Sequence, residues 1–77
     1  MQPVPLEEAL DDLIARVRRR AEACRQGLDV GRTSRNILHL ADVAAAATLP
    51  LARSDAAVLE RRERLLDAMA VLREHAP

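Results

Sequence analysis

The chain contains no Phe, Trp or Tyr. It therefore lacks the flat platforms that stack bases, cage methylated cations or anchor interface hot spots. It contains no Lys either, and all twelve of its basic residues are Arg. A GC-rich coding bias accounts for that choice. Arg also suits ion pairs across packed interfaces, because its planar fork is weakly hydrated and grips a carboxylate through two bonds. There is a single cysteine, Cys24, so no internal disulfide can staple the fold. No strictly apolar run is longer than Val43 to Ala47, which falls far short of the roughly 20 residues that a membrane helix needs. The opening Met1-Gln2-Pro3-Val4-Pro5 has neither the basic start nor the apolar stretch of a secretory signal. Together these absences predict a soluble, cytoplasmic chain with no membrane partner.

Net charge is missing as well. Twelve Arg are balanced by twelve Asp and Glu. Duplex binding normally rests on a positive face that neutralises phosphates, so this balance argues against a nucleic-acid partner. The chain has no G-x-S-x-G, P-loop, H-E-x-x-H or C-x-x-C pattern, the arrangements that position nucleophiles, phosphates and metals. No enzymatic activity, small-molecule substrate or cofactor is expected. A metal site needs three or four converging ligands. His39 has only Asp42 within reach on a helix surface, and His75 stands near the end, so no metal is expected. Cys24 falls on an apolar seam and reads as a small buried hydrophobe. Glu7, Glu8, Asp11 and Asp12 read as a solvated acidic first turn at the positive end of a helix dipole.

What is present is helical periodicity, in a chain of 77 residues that is 49% hydrophobic. That length makes one domain, residues 1–77, able to bury only about 60% of its unfolded surface. Residues 1–5 form an extended proline-rich lead-in. A first helix is predicted over about 5–26, with Pro5 at its first position. Its apolar residues Leu6, Leu10, Leu13, Val17 and Cys24 step by four, three, four and seven. Gly27 suits the left-handed residue that ends it. A second helix is predicted over about 33–48, capped by Thr33 or Ser34. Its seam is Ile37, Leu40, Ala44, Ala47 and Leu51. Pro50 is expected to stop it near Thr48. A third helix is predicted over about 54–75, capped by Ser54, with a seam of Val58, Leu65, Met69, Leu72 and Ala76. Glu60 and Arg64 are spaced as an i,i+4 ion pair. No strand-like alternation and no repeat occur.

The expected architecture is an all-α bundle of three helices. Two long helices pack antiparallel around a shorter, alanine-rich middle helix. Ala44 to Ala47 allow close approach of a neighbouring helix, which would make the middle helix the most buried element. Its smooth second face could equally serve as a docking groove.

The charge layout points toward association. Residues 7–12 carry four acids and no base, whereas residues 16–25 carry five Arg against Glu22 alone. The first helix is thus acidic, then basic, a layout that orients antiparallel pairing of two copies. Arg20 and Arg62 occupy slots where the seams call for apolar residues. Each must therefore snorkel, pair, or face another chain. The sequence is read as a non-enzymatic protein–protein interaction module: a small adaptor, co-chaperone, accessory subunit or inhibitor. It is expected to bind a protein partner or itself, as a homodimer. The expected interface is Leu10, Leu13, Val17, Leu65, Met69 and Leu72, oriented by Arg16, Arg20 and Arg62. The alternative reading is a small helical DNA-binding or antitoxin-like regulator that uses Arg32 to Asn36, since helix N-termini contact phosphates and Arg and Asn read base edges.

Overall fold

Three helices follow one another in a computed structural model that describes residues 5–28 and 31–76: α1 (Leu6–Arg25), α2 (Gly31–Ala52) and α3 (Ala56–His75). Residues 1–4 of the lead-in expected over 1–5, Asp29 and Val30 of the first connection, and Pro77 lie outside the described residues.

Pro5 precedes α1 as its cap rather than entering it. Its carbonyl accepts the Ala9 N–H at 3.0 Å, and no side chain caps this end. Glu7 and Glu8 in the first turn instead complement the exposed N–H groups. The other end closes as the sequence requires. Gly27 adopts φ 76°, the Gly27 N–H donates to the Cys24 carbonyl at 3.0 Å, and the Leu28 N–H donates to the Ala23 carbonyl at 2.8 Å. That pair of bonds is a Schellman cap.

α2 is longer than expected at both ends, with 22 residues against 20 in each of its neighbours. Its expected caps, Thr33 and Ser34, are inside it. Pro50 does not stop it: α2 continues through this residue to Ala52, and carbonyls in the preceding turn take additional donors. The Thr48 hydroxyl donates to the Ala44 and Ala45 carbonyls at 2.8 and 3.3 Å. Arg62 Nε of α3 donates to the Ala45 carbonyl at 2.9 Å. Ser54 does not cap α3. The N–H groups of Ser54 and Asp55 both reach back to the Leu51 carbonyl, so Ser54 belongs to the closing turn of α2. Asp55 is the cap, accepting from the N–H groups of Ala57 and Val58 at 3.0 and 3.3 Å.

The helices run up, down and up. Asp11 of α1 pairs with Arg61 of α3 at 3.1 Å. Further along both helices, Arg18, Ala21 and Arg25 flank one crevice with Asp67, Ala68 and Val71. α1 and α3 therefore run parallel, not antiparallel as expected, because two short reversals restore the original direction. α2 opposes both: Cys24 meets Ser34 across the first connection, and the end of α3 reaches back to Asp42 through Arg73 at 2.8 Å.

The middle helix is not the centre. α3 packs extensively on both other helices, while α1 and α2 touch each other least. α3 and α1 supply the large core side chains: Val58, Leu65, Met69 and Leu72 from one, Leu10, Leu13, Ile14 and Val17 from the other. α2 supplies Ala41, Ala45 and Ala52, with Ser34 and Thr48 also buried. The result is a slab with principal extents of 38 × 29 × 16 Å.

Candidate functional site

The residues expected to form an interface mostly form the core instead. Leu10, Leu13, Val17, Leu65, Met69 and Leu72 are all buried within the chain's own cluster. Helices 1 and 3 pack on each other through those seams, which leaves them unavailable to a partner. Of the three orienting arginines, Arg62 is consumed by the Ala45 carbonyl. Arg20 donates to the Leu28 carbonyl at 3.0 Å. Arg16 remains on the surface, paired with Asp12 at 3.1 Å.

The unusual surface is on α2. This helix turns its small residues inward, with Ala41 fully buried, and leaves Leu40, Val43 and Leu51 48%, 53% and 49% exposed. Burial ordinarily favours the opposite orientation, since each leucine or valine side chain gains about 1.5–3 kcal/mol on full burial. The seam read from the sequence as Ile37, Leu40, Ala44, Ala47 and Leu51 is therefore real, but it does not face α3. Ile37 and Ala44 are half-buried, whereas Leu40, Ala47 and Leu51 are exposed. Val43 is a further member of this surface, one helical step from Leu40 and Ala47. The sequence reading missed it, although its placement on the helix circumference could have shown it.

The seam begins in a crevice of about 210 Å³ between α1 and α2, lined by Arg16, Arg19, Arg20, Ala23, Thr33 and Ile37. The seam runs on from it along α2, and α1 and α2 touch each other less than any other pair of helices. By helical position, α1 contributes Glu8 and Asp12 further along this trough and Arg16 and Arg19 near the connection. The stripe of α1 beside the seam thus has an acidic end and a basic end. A second crevice of about 340 Å³ lies between α1 and α3. Its rim mixes Arg18, Glu22, Arg25 and Asp67, with Arg25 held to Glu22 at 3.2 Å, and it presents no single charge.

The other candidate residues stay apart. Cys24 is half-buried with Sγ 3.5 Å from the Ser34 hydroxyl. His39 is exposed, and Asp42 beside it is engaged by Arg73. Among the described residues, no group of three or more His, Cys, Asp or Glu converges as a metal site. Glu60 and Arg64 form the expected ion pair. Arg32, Thr33, Arg35 and Asn36 are exposed at the start of α2, but Ser34 between them is buried. Among the described residues, no helix is long and apolar enough to cross a membrane.

No protein-family model matches the chain, and no curated protein or solved structure matches it significantly.

Proposed function

We propose that this chain is a non-enzymatic protein–protein interaction module that binds through the outward seam of α2. Adaptors, co-chaperones, accessory subunits and dedicated inhibitors share this mode of action. The observation that carries the reading is the orientation of α2: Ala41 and Ala45 are inside, while Leu40, Val43 and Leu51 are outside. Half-exposed side chains of this size leave roughly 1 kcal/mol each of apolar burial unrealised in the isolated chain. A covering partner recovers it. Their alignment on one helix face suits a helix-in-groove mode, which reads anchors at three- and four-residue spacing.

A photo-reactive residue in place of Val43, introduced in cells that express the chain, tests the reading. It is expected to give a discrete protein adduct, whereas the same residue in place of the exposed Glu63 on α3 gives none. Absence of any adduct at position 43, with the chain folded, would refute the module.

A further inference from the structure

We propose that the trough is covered by a second copy of this chain, related by a twofold axis that passes over the outer face of α2, perpendicular to it and level with the midpoint of Ala45 and Ala46. The inference rests on the seam being an interface and adds the identity of its occupant.

The seam is self-complementary on reversal. From Leu40 through Ala44 and Ala47 to Leu51, its steps of four, three and four read alike in either direction. Antiparallel pairing about the stated axis sets Leu40 opposite Leu51 of the second copy and Ala44 opposite Ala47 of the second copy. Large side chains then meet at both ends, and four alanines meet in the middle. Small residues at a crossing let helix axes approach toward the short end of the 8–10 Å range. A twofold contact requires this kind of pattern, because each residue meets its own counterpart's complement.

The charges obey the same axis. Arg16 and Arg19 line the crevice near the connection, and by helical spacing Glu8 and Asp12 lie on the same stripe of α1 toward its other end. Reversal lays the acidic half of each α1 toward the basic half of its mate. Asp12 and Arg16 already pair with each other within the chain at 3.1 Å, so Glu8 and Arg19, both exposed and engaged by no ion pair among the described residues, carry the complementarity. A foreign partner would need no such matched polarity; a second copy does, because its own charges must answer themselves. The size also fits. The broad dimensions of the slab are 38 and 29 Å, which leaves room for the roughly 800 Å² per partner of a standard interface.

Sedimentation equilibrium with interference optics, over a concentration series, reads the mass directly. The unaltered chain is expected to reach the mass of two chains. Leu40→Asp combined with Leu51→Asp is expected to give one chain with unchanged helicity, because both side chains are exposed in the single chain. Charge reversal supplies an independent arm. Glu8→Arg with Asp12→Arg, and separately Arg16→Glu with Arg19→Glu, should each weaken the dimer about tenfold or more, and mixing the two variants should restore it as a heterodimer. A single-chain mass at every concentration overturns the proposal. So does a dimer indifferent to the α2 substitutions, or a mixture no tighter than its components. If the unaltered chain is monomeric while the Val43 adduct contains a different protein, self-pairing fails and the module stands. If there is no adduct, both fail.

Discussion

Two adjacent leucines of α3 should behave as opposites. Leu65 is fully buried and Leu66 is 36% exposed, because one residue of helix turns the side chain by about 100°. Leu65 sits in the cluster formed by all three helices, so truncation to alanine removes its burial and leaves a cavity, at a cost of about 2–5 kcal/mol. A chain of this size is stable by about 4–12 kcal/mol in total, taking 0.05–0.15 kcal/mol per residue. Leu65→Ala therefore removes a large fraction of the stability, and at the lower bound it unfolds the chain. Leu66→Ala removes a partly exposed side chain at a cost of about 1 kcal/mol. Urea unfolding followed by far-ultraviolet circular dichroism distinguishes the two. With a slope of roughly 1 kcal/mol per M for a small domain, the midpoint should fall by about 2 M or more for Leu65→Ala and by about 1 M for Leu66→Ala. Dilute samples keep association out of the comparison. Equal shifts, or the larger shift at Leu66, would refute the assigned orientation of α3.

Three further outcomes follow from the helix ends. Asp55→Ala should cost about 1 kcal/mol by removing the acceptor of two N–H groups, while Ser54→Ala leaves the urea midpoint nearly unmoved; the reverse order would return the cap to Ser54. Pro50→Ala should stabilise by roughly 1–3 kcal/mol, because α2 already continues past this position and proline is disfavoured in a helix interior; a fall in thermal midpoint would contradict continuity through Pro50. Gly27→Ala should cost about 1–2 kcal/mol through its positive φ alone, since a Cβ there meets nothing within 4 Å. A neutral result in chemical denaturation would contradict the left-handed cap.

The first and third helices were legible because their large apolar residues sit on one side and charged residues on the other. Leu10, Leu13 and Val17 mark one core face, and Leu65, Met69 and Leu72 mark the other. The second helix was misread for a physical reason. Its more apolar seam, Ile37 to Leu51, is not its core face, which consists of Ser34, Ala41, Ala45, Thr48 and Ala52. Small residues there allow an approach close enough for Arg62 to reach the Ala45 backbone, and hydrophobicity alone does not select such a face. Arg62 looked misplaced in a seam because its acceptor is a backbone carbonyl, which no residue-type pattern displays. The interface followed the same error. Reading the strongest seams as a partner surface overlooks that a chain this small needs them for its own core. The charge polarity of α1 was legible directly in the order of its residues. Nothing in the sequence separated Ser54 from Asp55 as a cap, because that choice depends on how far α2 extends beyond Pro50.

Disulfide trapping across α2 tests the outward seam and its twofold partner together. Two chains, both carrying Cys24→Ser, would bear Ala44→Cys and Ala47→Cys respectively and be mixed under a mild oxidant. Disulfides form readily only when Cα atoms lie within about 4.4–6.8 Å. The proposed axis predicts that the mixed 44–47 adduct accumulates faster than either the 44–44 or the 47–47 adduct. A control chain with Glu63→Cys should cross-link slowly. Equal rates for all three adducts, or faster trapping through position 63, would contradict the account.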